Sequence, residues 1–204
     1  MRGPYLALLA AAALIITGCS TAPGRTGDGT AAAGTTSTAE TQTPPAALEW
    51  GQPGDGKGER GQPLQITPLG VYYHKGHETL GKPNNEVFTA VAVKVAASGS
   101  ADHLPPPATG FGFTLLSDDG ESVNPASGAS PPWVGRVNEP NAKQDIRAGR
   151  YQKYVITFDA PSRGGALVYT SPDGQAVEWP IPERSGGQGL RRVLTALDDL
   201  GVTH

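Results

Sequence analysis

The sequence holds two histidines whose spacing suits a metal ion. His74 and His77 lie three positions apart, and either Glu78 or His103 has the chemistry to complete a coordination shell. Lys75 stands between the two histidines, and its positive charge opposes a bound cation. We therefore interpret the loop as exposed and predict no metal or cofactor, with a metal site on His74 and His77 as the alternative. The initiator is the only methionine, which excludes thioether-based delivery of copper(I).

A second group combines the residue types of a serine hydrolase. Ser98, Ser100, Asp102 and His103 fall within six positions. Residues so close in sequence do not converge as a triad does, because the base must reach the nucleophile from a separately positioned element. The sequence also lacks a Gly-x-Ser-x-Gly nucleophile elbow. We interpret the segment as a solvated loop before the prolines at 105–107, and predict that the protein is not an enzyme.

Adjacent carboxylates occur at Asp118-Asp119 and at Asp198-Asp199. The first pair precedes Gly120, a pattern typical of a tight turn. A glycosidase instead needs two carboxylates that face each other across a cleft. We assign the first pair to a turn and predict no catalytic residue in either pair.

The lone cysteine, Cys19, ends a short apolar segment at the N-terminus. One basic residue, Arg2, precedes an apolar stretch at 5–16, which is shorter than the about 20 residues of a membrane span. This pattern is typical of a signal peptide that is cleaved after small residues. The motif Ile16-Thr17-Gly18-Cys19 resembles the lipobox of bacterial lipoproteins. The resemblance implies a signal peptide at 1–18 and lipid attachment at Cys19; an ordinary signal peptide with an incidental cysteine is the alternative.

Composition divides the rest of the chain. Residues 20–47 are almost wholly Ala, Gly, Thr, Ser and Pro, which bury too little apolar surface to offset the entropy of ordering. We predict a disordered tether at 19–47 with a relaxed span of roughly 30 Å. A single folded domain at 48–182 and a C-terminal tail at 183–204 follow.

Charge limits the partners. The chain has 16 Lys and Arg against 19 Asp and Glu, and no stretch of sequence concentrates the basic residues. Binding to nucleic acid, or to an anionic membrane through a polybasic segment, is disfavoured because both need clustered Lys and Arg.

The sequence of the folded domain predicts strands. Residues 86–97 and 151–159 alternate with a period of two and are rich in β-branched residues, which predicts two strands, the first of them central. Shorter candidates are 64–73 (broken by Pro68), 110–117, 133–137, 166–170 and 176–181. Turn sequences ending in Gly120 and Gly174 predict two antiparallel hairpins. About seven strands predict an all-β antiparallel sandwich, with Trp133 and Trp179 in its core and Trp50 closing one end.

The C-terminal tail carries one helical pattern. Apolar residues recur at helical spacing within 189–200, which predicts a short amphipathic helix: Leu190, Val193, Leu194, Leu197 and Leu200. Arg191 and Arg192 at its start and two aspartates at its end oppose the helix dipole. The apolar stripe therefore needs a surface to cover, and we leave open whether this is the protein's own sandwich or a partner protein.

The order of strands and turns resembles a known family. Segments 86–95, 113–120, 146–150, 155–161 and 166–169 resemble the immunoglobulin-like domain of unknown function in lipoproteins of Gram-positive, especially actinobacterial, bacteria. Ala97-Ser98 stands where that family usually has an Asn after the valine-rich strand, and a C-terminal extension follows its last strand. The resemblance implies an immunoglobulin-like sandwich in an extracytoplasmic lipoprotein, with no established chemistry.

Two functions follow from these observations. The first is a non-enzymatic immunoglobulin-like binding or accessory module of the cell envelope, anchored by lipid at the extracytoplasmic face of the cell membrane, with an envelope protein as a possible partner. The second is an envelope metal-binding protein or enzyme that uses the His74/His77 loop.

Overall fold

The computed structural model describes residues 46–78, 80–106, 109–125, 127–130 and 144–201. Cys19, the predicted tether up to residue 45 and the predicted strand at 133–137 with Trp133 lie outside the described residues.

The described chain forms two packed sheets. Sheet A has the order β1 (Ala46–Ala47), β9 (Ala176–Pro180), β8 (Ala166–Thr170), β5 (Gly112–Leu116) and β6 (Ser122–Val123). Sheet B has the order β10 (Gly186–Gly187), β3 (Pro63–His74), β4 (Val87–Ala97) and β7 (Tyr151–Ala160), and β2 (Gly54–Lys57) also pairs with β3. Pairing is antiparallel except between β1 and β9. The prediction of an all-β sandwich is confirmed.

Strand β4 lies at the centre of sheet B, between β3 and β7, as its sequence predicts. Its alternate residues Val91, Val93 and Val95 are fully buried between the sheets. Ile156 and Phe158 of β7 share this core with fully buried Trp179 of sheet A, and Trp50 packs against it. Burial on this scale is the main stabilising term of such a fold.

Both predicted hairpins are present. β5 pairs with β6, and β8 pairs with β9. Gly120 and Gly174 close them with φ of 88° and 83°, a region that residues with a Cβ rarely adopt.

Pro68 does not break its strand, contrary to the sequence prediction. β3 continues from Pro63 to His74, and its register with β4 shifts between Pro68 and Gly70. A bulge of this kind accommodates a residue that lacks a backbone N–H. The carbonyl oxygen of Leu69 at the bulge accepts a hydrogen bond from the N–H of Gly189 at 2.9 Å.

Strand β2 was not predicted, because its sequence Gly-Asp-Gly-Lys is typical of a loop. Its glycines are needed for close packing. A Cβ on Gly54 would lie 2.6 Å from the ring of Trp179, and one on Gly56 would lie 2.7 Å from the ring of Tyr169. The strand lies against the core at a distance that only glycine permits.

Helix α1 (Leu190–Asp198) packs on the protein's own sandwich. Val193 and Leu197 are fully buried against Phe88, Ala92 and Val155 on the outer face of sheet B. The structure therefore resolves the open question of what the apolar stripe covers. No helix in the described part of the chain has the length and apolar character needed to cross a membrane.

Candidate functional site

His74 is not in an exposed loop. It ends β3 with 7% of its surface exposed, and its ring lies 5.2 Å from that of Phe88 and 6.2 Å from that of Tyr72. Its Nδ1 accepts a hydrogen bond from the N–H of Gly76 at 3.1 Å. The exposed-loop interpretation is wrong for this residue, because the apolar cluster under α1 extends to the end of the strand.

The possible metal ligands near His74 are dispersed. His77 forms a backbone bridge with Gly81, and Glu78 is exposed. His103 belongs to a separate cluster with other partners. Among the described residues, no three His, Cys, Asp or Glu side chains come together to hold a metal ion.

Asp102 and His103 are buried, so the solvated-loop interpretation is wrong for these two residues, whereas Ser98 and Ser100 are exposed as it predicts. Asp102 is 0% exposed, and its carboxylate accepts hydrogen bonds from the backbone N–H groups of Arg60, Gln62 and His103. The donor distances are 3.1, 2.9 and 2.8 Å. A buried carboxylate is stable when hydrogen bonds replace its hydration.

The loop at 58–62, between β2 and β3, closes over this carboxylate. A Cβ on Gly58 would overlap the Asp102 carboxylate. On the other side, the backbone of Asp102 pairs with that of Ile146, with N–O distances of 3.2 and 2.7 Å. Asp102 thus joins three segments that are distant in sequence.

The ring of His103 lies between two carboxylates. Its Nε2 is 2.6 Å from Oε2 of Glu59, and its Nδ1 is 3.1 Å from Oδ1 of Asp145. Carboxylates accept hydrogen bonds, and each ring nitrogen lies within hydrogen-bonding distance of one of them. Neither nitrogen is left to take a proton from Ser98 or Ser100, which are exposed. The residue types of a triad are present here without its geometry.

An ion pair borders this cluster at the surface. Arg60 NH1 lies 2.9 Å from Oδ2 of Asp145. The hydrogen bond from Arg60, with a further one from His103, holds the pKa of Asp145 below its usual range. The hydrogen bond with Asp145 in turn raises the pKa of Arg60. We call Glu59, Arg60, Asp102, His103 and Asp145 the His103 cluster.

A second buried carboxylate, Asp159, lies at the end of β7, and the sequence analysis did not single it out. It is 0% exposed and accepts hydrogen bonds from the backbone N–H groups of Asn84, Asn85 and Ala129 at 3.0, 3.0 and 2.7 Å. The amide of Asn85 also donates to the backbone oxygen of Asp159 at 2.9 Å. The available signal was an aspartate that follows the mostly apolar residues 154–158 near the end of a predicted strand.

The two pairs of adjacent carboxylates lie at a turn and at the end of a helix. Asp119 accepts hydrogen bonds from the hydroxyl of Ser117 and, at 3.3 Å, from the N–H of Glu121, which lowers its pKa. This is the predicted turn. Asp198 and Asp199 are exposed at the end of α1.

Comparisons with known proteins give little further guidance. No protein-family model matches the chain, and no curated protein matches it significantly. Among solved structures, the 1.5 Å crystal structure of MPT63, a secreted protein from Mycobacterium tuberculosis, is similar at 16% sequence identity and a TM-score of 0.48. The match covers 68% of this chain and 98% of that chain. We base no functional conclusion on a similarity of this size.

Proposed function

We propose that this protein is a lipid-anchored extracytoplasmic lipoprotein whose sandwich is a non-enzymatic binding or accessory module of the cell envelope. The observation that carries the proposal is Ile16-Thr17-Gly18-Cys19 directly after an apolar stretch that is too short to span a membrane. The absence of any second cysteine supports a dedicated role for Cys19. The resemblance to the immunoglobulin-like domain of Gram-positive lipoproteins agrees with this proposal.

The geometry of the buried polar groups supports a non-enzymatic module. The carboxylates of Asp102 and Asp159 each accept hydrogen bonds from three backbone N–H groups. Both ring nitrogens of His103 lie next to carboxylates. The hydrogen bonds of these groups connect loops within the protein. A base or nucleophile must instead lie within hydrogen-bonding reach of a substrate.

The metal alternative loses support from the position of His74. This ring packs among aromatic side chains, and His77, Glu78 and His103 do not converge on it. Calorimetric titration with zinc and copper(II) tests it: micromolar binding that disappears in His74→Ala would restore this alternative.

The anchor is tested by cell fractionation of Cys19→Ala with Ser20→Ala as the matched control. We expect wild type and Ser20→Ala in the membrane fraction and Cys19→Ala in the medium or as an uncleaved precursor, because no thiol is left to acylate. Inhibition of the lipoprotein signal peptidase is expected to leave precursor in wild type. Wild-type amounts of processed Cys19→Ala in the membrane would refute the proposal.

A further inference from the structure

The fold assembles a cationic patch that no stretch of sequence contains. Lys94 of β4 and Lys153 of β7 are direct cross-strand neighbours on the outer face of sheet B. Arg192 donates a hydrogen bond to the backbone oxygen of Lys153 at 2.9 Å, which places it next to this lysine, and Arg191 precedes it in the first turn of α1. We call these four side chains the cationic patch. Three of them are exposed and Lys94 is half-buried.

The patch is unfavourable by itself. Like charges directly opposite each other on neighbouring strands repel, and arginines in the first turn of a helix oppose its dipole. The first turn of α1 contains no acidic residue. Within the described part of the chain, none of the four cations forms a salt bridge. Local conflicts of this kind concentrate at functional sites, and an anionic ligand would relieve all of them together.

An exposed aromatic ring borders the patch. Tyr151 is 60% exposed, the one large side chain of hydrophobic character found so exposed among the described residues. The Nζ atom of Lys94 lies 5.9 Å from the centre of its ring. Tyrosine beside lysine is the combination that favours the interface between membrane and water, where the ring lies at the level of the headgroups.

The chain enters the domain at the end of the sandwich where β4 ends, just beyond Lys94 of the cationic patch. Ala46 pairs with Val177, just after the turn at 171–174, and this turn binds Lys57 at the end of β2. Lys57 pairs with the start of β3, which in turn pairs with the end of β4 beyond Lys94. In the sequence, residues 20–45 separate this point from Cys19, and a flexible coil of that length would span roughly 30 Å. A tether this short keeps the patch at high effective concentration near whatever surface holds Cys19.

We propose that the cationic patch docks the sandwich onto the anionic phospholipid headgroups of the membrane that holds the lipid on Cys19. The proposal rests on the lipid anchor proposed above. Phosphate groups satisfy the four cations, and the ring of Tyr151 enters the headgroup layer. The lipid and the patch then hold the domain against the membrane in one orientation.

The test uses the whole mature chain from residue 19 with Cys19→Ala, mixed with vesicles of phosphatidylglycerol or of phosphatidylcholine at low ionic strength. We expect flotation with the first kind only. Lys94→Glu with Lys153→Glu is expected to weaken binding at least tenfold, because each charge contributes separately to attraction by an anionic surface. Lys82→Glu with Arg184→Glu is the charge-matched control on other exposed positions, and is expected to bind within twofold of wild type.

A neutral pair of substitutions separates binding from folding. Lys94→Gln with Lys153→Gln removes the cross-strand repulsion, so we expect an equal or higher Tm together with weaker vesicle binding. No binding to phosphatidylglycerol vesicles, or the same loss in the control pair, would overturn the proposal. Binding of soluble polyphosphate without binding of vesicles would also overturn it.

The test is independent of the anchor. The mature chain with Cys19→Ala carries no acyl group, so failure to bind vesicles refutes the patch alone. An unacylated Cys19 in cells refutes the anchor, and with it docking at the anchoring membrane, while the binding expected with phosphatidylglycerol vesicles stays the same.

Discussion

Asp102 and Asp159 are two fully buried carboxylates in different surroundings. Each accepts hydrogen bonds from three backbone N–H groups; all three donors to Asp159 and two of the three to Asp102 belong to loops distant in sequence, and the third donor to Asp102 is its neighbour His103. Asp102 also has His103 Nδ1 at 3.8 Å and a border of charged side chains. Asp159 has no ion pair with a described residue.

This difference indicates the structural role of the His103 ring. Since three backbone N–H groups are enough to hold the Asp159 carboxylate in the core, Asp102, which also has three, does not need the ring of His103. His103 instead links Asp102 to the exposed carboxylates of Glu59 and Asp145. The adjacent Asp102 and His103 thus connect segments of this fold, and the same residue types serve catalysis elsewhere.

Asp102→Asn and Asp159→Asn are expected to have the largest effects, and of similar size. Each substitution turns an acceptor into an NH₂ group that faces a backbone donor, so at least one buried N–H is left unsatisfied. We expect each to lower the free energy of unfolding by about 2–3 kcal/mol in urea denaturation. Asp118→Asn, at an exposed turn, is the matched control. A large loss at Asp102 alone would show that the two carboxylates are not equivalent.

His103→Gln is expected to cost less, about 1 kcal/mol. The substitution weakens contacts to Glu59 and Asp145, whose side chains are 45% and 39% exposed, and water replaces such contacts in part. Urea denaturation beside Asp102→Asn measures the difference. If the two variants lost the same stability, His103 and not Asp102 would organise the cluster.

The smallest effect is expected from Asp145→Asn, and it depends on pH. The pKa of Asp145 is lower in the folded protein, mainly through the hydrogen bond from Arg60. The carboxylate therefore contributes stability above about pH 4, and this contribution is lost as the pH falls through the folded-state pKa. We expect a Tm difference between wild type and Asp145→Asn at pH 6 that closes toward pH 3.

Arg60→Ala supplies the control for this pH dependence. In that background Asp145 lacks its main partner, so Asp145→Asn is expected to change Tm less at pH 6. If the Tm difference were unchanged in this background, a group other than Arg60 would be the cause of the lowered pKa of Asp145.

Local patterns predicted much of the sandwich. The alternation at β4 and β7, the two turns ending in glycine and the stripe of α1 are all determined by residues close in sequence. β2 was not predicted because its glycines are required by close contact with Trp179 and Tyr169, which lie more than a hundred residues away in the sequence.

The polar clusters were not predictable in the same way. Asp102 meets Arg60 and Gln62 across about forty positions, and Asp159 meets Asn84 and Asn85 across more than seventy. The cationic patch likewise combines residues from two strands and a helix. Each depends on the register of distant strands, which sequence spacing alone does not specify.

We propose above that a lipid on Cys19 attaches the protein to a membrane. The most direct measurement is the mass of the N-terminal tryptic peptide of the mature protein, which covers residues 19–25 because Arg25 is its first cleavage site. The account predicts a peptide that begins at Cys19 and carries the added mass of a diacylglycerol on the thiol. A mature peptide that begins at another residue, or one with an unmodified Cys19, would contradict it.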